Sequence, residues 1–188
     1  MFINTSHRTS QTEIMDDFHM KGDVLKDALD KIAKINQLLG GNKLTLEGLK
    51  RLLKVNPTNQ KITIVDVGCG NGDMLRAIAD YAKKNELNVA LIGIDANQFT
   101  VDYAKKLSVY YSNISYRCED IFEKSFEKLN YDIVLCTLTL HHFKEAEIIK
   151  LLNLFKNNAT LGMVINDLQR SIISYRLFQC LCLIFRLN

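Results

Sequence analysis

Asp66 stands two residues ahead of Gly68-Cys69-Gly70-Asn71-Gly72, a turn with three alternating glycines between a β-branched run and a helical one. Glycine permits left-handed backbone and lets a ligand approach the main chain, and the helix that follows offers unpaired N–H groups. A small polar ligand is expected there. The dinucleotide spacing G-x-G-x-x-G would put its third glycine at position 73, where this chain has Asp73. A carboxylate at 66 would also repel a pyrophosphate, so the acid suits a ligand that carries positive charge. Two further acids, Asp95 and Asp120, follow later apolar runs, and His141-His142 is the only adjacent histidine pair. Imidazole exchanges protons near neutral pH, which makes either ring a candidate base. Cys69 sits inside the turn, where a small side chain fits. A nucleophilic thiol would need a paired base, and the sequence places none beside it.

Elements must position these residues, and the chain shows two regimes that meet near Pro57, its only proline. Ahead of it Leu25, Ala28, Leu29, Ile32, Ile35 and Leu39 recur at helical spacing, an apolar stripe that Gly40-Gly41 ends. A second short helix is expected with Thr45 as its N-cap and Leu46, Leu49, Leu52 and Leu53 on its inner face. Another turn or two is expected over 13–18. After Pro57, strands are expected over 62–67, 89–94, 114–117, 133–136 and 161–165, with helices over 72–84, 98–107 and 146–155. This alternation implies right-handed crossovers and a doubly wound parallel α/β sheet covered on both faces. The organisation is an N-terminal helical cap over 1–57 and an α/β body over 58–188. In such a sheet the ligand lies at the carboxyl ends of the strands, where Asp66, Asp95, Asp120 and the histidine pair all fall.

Composition narrows the setting. With 188 residues, 47% apolar and 24% charged, the chain fits one globular domain able to bury a core. Lys and Arg number 24 against 21 Asp and Glu, with no basic run, so nothing marks a nucleic-acid partner. Five cysteines without a CxxC pair or a zinc-spaced Cys/His cluster point to reduced thiols, a cytoplasmic setting and no metal. No basic-then-apolar leader opens the sequence. Its most apolar stretch, 172–187, is interrupted by Tyr175, Arg176 and Gln179 and falls short of the roughly 20 residues of a spanning helix. A packed helix without stable membrane insertion is expected.

In register along residues 60–167, the segments IVDVGCGNGDML, GIDAN, CEDIF and LCTLTLHHF resemble the class I S-adenosylmethionine-dependent methyltransferases. S-adenosylmethionine, with its ammonium and sulfonium, carries the charge that Asp66 suits. EIMDDF, NQLLGGN and INDLQRS are similar to a bacterial small-molecule subgroup found near polyketide and quinone-type pathways. The resemblance implies a Rossmann-like fold in which Asp66 and the backbone of Gly68 and Gly70, with Cys69 between them, hold the methionine part of the cofactor. Gly72 then lets the helix start close beneath it. Asp95 would accept from both ribose hydroxyls, with Ala96 and Asn97 flanking the adenine. Asp120 would accept from the adenine amine while Ile121 packs on the ring, and Thr137 and Leu138 run past the sulfonium. His141 and His142 fall where the methyl acceptor enters: one removes a proton from a phenol, hydroxyl or acidic carbon, or both only shape the pocket. Asp167 or Arg170 contacts the acceptor, or serves as an ordinary cap and surface ion pair.

The implied reaction is methyl transfer to a small, partly apolar acceptor, phenolic, quinone-like or polyketide-like, beneath a lid offered by Ile14, Met15, Phe18 and Met20. Where nucleic-acid amine methyltransferases carry N/D-P-P-Y/F, this chain has Thr137-Leu138-Thr139-Leu140, which argues against a nucleic-acid acceptor. The family builds seven strands, and no closing hairpin follows the apolar helix, which leaves the fifth strand as an exposed edge. That departure implies either a trimmed or naturally shortened domain or a second subunit that covers the edge as a homodimer, and it supports the alternative of a cofactor-binding module that does not catalyse. A nicotinamide-dependent oxidoreductase fails on the glycine spacing and on Asp66.

Overall fold

The apolar stripe ahead of Pro57 forms two helices, α1 (Asp23–Leu39) and α2 (Gly41–Val55), in a computed structural model that describes residues 17–55 and 60–168. A single left-handed residue, Gly40 at φ 79°, ends α1, and the chain re-enters a helix at once, with Leu44 N–H donating to Gly40 O at 3.0 Å. Thr45 therefore does not cap the second helix as its residue type suggests. It lies inside α2, fully buried, with its hydroxyl 3.1 Å from Thr137 Oγ1. The buried residues of α1 are Leu25, Leu29, Ala33 and Ile35, whereas Ile32 and Leu39 of the expected stripe are 39% and 61% exposed. Ile32 borders the cavity described below, and Leu39 occupies the last residue of its helix. Residues 13–16, Pro57 and the helix expected over 172–187 lie outside the described residues.

The body follows as β1 (Ile62–Val67), α3 (Asp73–Lys84), β2 (Val89–Asp95), α4 (Gln98–Leu107), β3 (Ile114–Cys118), α5 (Lys124–Glu127), β4 (Tyr131–Thr137), α6 (Glu145–Asn158) and β5 (Ala159–Asn166). The single turn α5 left no trace in the apolar pattern, because four residues are too few to show a period. Among the described residues the strands form one sheet in the order β3-β2-β1-β4-β5, every neighbouring pair parallel. The chain winds outward from β1 in one direction and then returns to build β4 and β5 on the other side. The crevice of a doubly wound sheet therefore opens beyond the carboxyl ends of β1 and β4. Register sets those ends level, with Val67 opposite both Ile94 and Cys136.

Both faces of β1 are covered. Ile62 and Ile64 pack with Leu49 of α2, Leu75 and Ile78 of α3 and Val101 of α4. Val65 and Val67 point the other way, toward Phe126 of α5 and Phe155 of α6. Such a strand should be apolar throughout, yet it carries Asp66, only 2% exposed. β5 is one edge of the sheet among the described residues and β3 the other, and no described helix is long and apolar enough to cross a membrane.

Gly72 sets how closely α3 approaches the sheet. It is left-handed at φ 78°, and a Cβ there would collide with the Tyr116 hydroxyl, itself 2.8 Å from Ser108 Oγ. Gly72→Ala is expected to lose at least about 2 kcal/mol through backbone strain and overpacking. A thermal melt should fall by several degrees, and an unchanged melt would contradict this contact.

Candidate active site

The glycine turn is fastened to β2. Gly68 N–H and Cys69 N–H both donate to Ile94 O, at 2.9 and 3.1 Å, and Gly70 N–H donates to Asp95 Oδ2 at 3.2 Å. Gly68 and Gly70 are left-handed, at φ 69° and 51°. At Gly68 a side chain would also strike Thr139, whose hydroxyl donates to Thr137 O at 3.0 Å and lies 3.3 Å from Val67 O. The bare glycine thus lets the loops after β1 and β4 touch. Asn71, just ahead of the α3 cap, accepts from Asp73 N–H at 3.1 Å, and Arg76 donates to Asn71 O at 2.6 Å.

Carboxylates crowd the strand ends. Burial pushes Asp66 well above the usual carboxylate range, and the neighbouring charges of Asp73 and Asp95 push it further. Asp95 is pushed up to about 6 by burial, although the N–H groups of Asn97 and Gly70 and the nearby His142 pull it down. Its Oδ1 accepts from Asn97 N–H at 3.0 Å, and Asn97 in turn caps α4 by accepting from Thr100 N–H at 3.1 Å. Asp120 accepts from Phe122 N–H at 2.9 Å, an Asx turn that leaves its head exposed. Burial raises the Cys69 thiol, with Asp95 and Asp66 adding to the effect, so it is inert as a nucleophile. Among the described residues no three His, Cys, Asp or Glu side chains gather as a metal site.

The loop after β4 carries the histidines on a short 3₁₀ turn, Leu140–His142. It is preceded by Leu138, left-handed at φ 52°, whose N–H donates to Asn166 O at 2.8 Å. His141 is gripped twice by Asp167. Its backbone N–H donates to Asp167 Oδ2 at 3.0 Å, and its ring Nδ1 lies 2.7 Å from Oδ1. Burial alone would raise Asp167, but the hydrogen bonds from His141 and Leu168 outweigh it and hold the carboxyl below its usual range. An ionised Asp167 orients the ring so that Nδ1 donates and Nε2 keeps its lone pair. The His142 ring stacks obliquely on that of His141, with centroids 4.2 Å apart.

These parts border one cavity of about 660 Å³. Asp66, Gly68, Cys69, Gly70, Asp95, Ala96, Asn97, Asp120, Ile121, Thr137, Leu138, His141 and His142 all line it, while Gly72 sits beneath as the cap of α3. Asp167 stands behind His141, and Arg170 lies outside the described residues. The α1 wall contributes Leu25, Leu29, Ile32, Ala33 and Asn36, of which only Asn36 lies in a quoted motif, NQLLGGN. That wall is held in place by Asp30, whose carboxylate accepts from Tyr103 Oη at 2.8 and 2.9 Å and from Asn71 Nδ2 at 3.2 Å. Of the expected lid, Phe18 lines the mouth and the Met20 carbonyl accepts from Asn97 Nδ2 at 2.8 Å. Ile14 and Met15 lie outside the described residues. Glu119 and Phe122 of CEDIF and Thr139 and Phe143 of LCTLTLHHF also line the cavity, although no role was expected of them, and Glu147 lies outside every motif.

A protein family described as a methyltransferase domain matches residues 58–172, which spans every element from β1 to β5 and the strand-end part of this site. The chain belongs to that methyltransferase-domain family. Its relatives include the 235L protein of Invertebrate iridescent virus 6, named as a methyltransferase, 31% identical over 101 residues, which are 53% of this chain and 35% of that protein. The malonyl-[acyl-carrier protein] O-methyltransferase of Priestia megaterium is 31% identical over 91 residues, 48% of this chain and 31% of the relative. The chain thus spans about a third of the length of these curated relatives. Among solved structures, the plantazolicin methyltransferase BpumL in complex with SAH superposes with a TM-score of 0.62 at 24% identity, covering 80% of this chain and 56% of that one. The DszA carbon methyltransferase gives 0.64 at 18% identity, covering 80% and 42%. At those identities the likeness is one of fold: the five-stranded parallel core of this domain is shared with these two solved structures.

Proposed function

We propose that this chain is an S-adenosylmethionine-dependent methyltransferase that acts on a small, partly apolar acceptor. One observation carries the reading: the buried carboxylate of Asp66, with no cation against it among the described residues, faces the same cavity as Asp95, with the glycine turn bonded between the two strand ends. A carboxylate held in that condition gains from a cationic ligand, which an ammonium supplies. Asp66 would take that ammonium, Asp95 the ribose hydroxyls, and Asp120 with Ile121 the adenine. The cofactor, when bound, supplies a methyl group already activated on a sulfonium. The protein's task is then alignment of the acceptor, exclusion of water by α1, and removal of one proton. His141 Nε2 is the atom that receives it, because Nδ1 is committed to Asp167.

Calorimetric titration of the chain with S-adenosylmethionine, its demethylated product S-adenosylhomocysteine (SAH) and NAD tests the class. Binding of the first two and not NAD supports it; the reverse sinks it. The same titration has an expected pH dependence. Asp95 accepts hydroxyl protons best when ionised, so affinity for SAH should be flat between about pH 7 and 8. Below about 6 it should fall, approaching tenfold per pH unit as the carboxyl protonates. Affinity independent of pH down to about 5 would remove Asp95 from the ribose.

A further inference from the structure

We infer that the acceptor is an apolar amine, its hydrophobic body seated on the cavity rim made by Phe18, Ile32, Phe122, Phe143 and Leu168 and its nitrogen turned toward His141. This rests on the methyltransferase reading above and names the substrate class of the same site. Phe18, Ile32 and Leu168 are 52%, 39% and 59% exposed, and all three border this one cavity. Large apolar residues left in water singly mean nothing, but three around one mouth mark a surface that an apolar ligand covers. Phe122 and Phe143 meet edge to face, with centroids 5.4 Å apart, and extend that surface inward as an aromatic wall.

The charged groups select the nitrogen. Asp66, Asp73, Asp95, Asp120 and Glu147 border the cavity together with Glu119, which pairs with Arg117, and Asp167 lies directly behind His141; Lys150 Nζ lies 5.7 Å from the centroid of the Phe122 ring but does not line the cavity. A cofactor with one net positive charge answers Asp66 and leaves the other acids in place. A carboxylate or phosphate on the acceptor would meet their field, and one like-charged pair at about 4 Å lowers affinity roughly tenfold or more. A phenol enters neutral but must become a phenolate before it attacks, and the same acids oppose that anion. An amine enters as an ammonium, which they attract. Its proton passes to His141 Nε2, and the freed nitrogen lone pair forms a bond to the methyl carbon. As that bond forms the carbon–sulfur bond breaks, its electron pair stays on sulfur, and the product leaves as an N-methylammonium. At no stage does the acceptor carry negative charge.

The test uses the full chain saturated with SAH and three probes that share a phenyl body: 2-phenylethylamine, 4-ethylphenol and 3-phenylpropionate. Calorimetry should show the amine binding at least about tenfold more tightly than either other probe. With S-adenosylmethionine in place of SAH, mass spectrometry should find methyl transfer to the amine alone. If SAH binds and the amine fails to outbind both others, or the phenol or carboxylate is the one methylated, the inference is overturned while the proposed activity stands. If SAH itself does not bind, the activity and the inference fall together.

Discussion

Asp66→Asn should make the free protein more heat-stable and at the same time deprive it of its cofactor. The side chain is 2% exposed in the middle of a strand covered on both faces, and its ionised form is opposed by burial first and by Asp73 and Asp95 next. Because the folded-state pKa is raised, the stabilising contribution of this group is greatest below about 3.9, the value it has in an unfolded chain. That contribution is lost as pH rises through the folded-state value. At neutral pH the parent therefore bears the cost of keeping this group buried, as a charge or as a proton held above its ordinary range, and asparagine, of nearly the same shape, does not. A gain of about 1–2 kcal/mol, or about 2–8 °C in Tm, is expected near pH 7.5, shrinking as the solution is acidified. Binding moves the other way. Loss of a charge-assisted contact to an ammonium costs roughly 10–150-fold in affinity, so calorimetry should show SAH binding weakened by at least about tenfold. A variant that melts lower than the parent and still binds SAH would make Asp66 a structural residue.

The same residue explains why much of the site was legible in the sequence. Asp66 and its glycines are consecutive, so their spacing states both the turn and the sign of charge it presents, and Asp95 follows at the end of the next strand. Strand ends gather in a doubly wound sheet whatever the loops do, which brings Asp120 and the histidines to the same rim. What could not be read depends on contacts between distant positions. Asp167 lies 26 residues beyond His141, and no local pattern tells whether its carboxylate faces an acceptor or turns back on the imidazole. Thr45 is of a residue type that favours helix caps. Only the tertiary placement of α2 shows its hydroxyl beside Thr137, 92 residues away, and accepting from Asn166 Nδ2 at 3.1 Å. Ile32 shares the helical period of Leu25 and Leu29, and period alone does not separate a residue facing the core from one facing a cavity.

His141→Ala should lower kcat about 10²–10⁴-fold for an acceptor that must lose a proton, with affinity for SAH changed only severalfold. This outcome separates the two roles that residue type leaves open for the histidine pair. If His141 is the base, the loss falls on kcat, and added imidazole, which can enter the space left by the ring, restores part of the rate. If the ring only shapes the pocket, the loss falls on the acceptor KM and imidazole does nothing. Asp167→Asn gives a second reading of the same question. The 2.7 Å contact to Nδ1 and the bond from His141 N–H mean that this carboxylate fixes both the ring and the loop that carries it. An asparagine can still accept one of those bonds but loses the charge that stabilises the protonated ring, so an intermediate loss in kcat is expected. Should Asp167→Asn leave kcat unchanged while His141→Ala abolishes it, Asp167 acts only in loop geometry. The proton accepted by His141 would then need no charged partner.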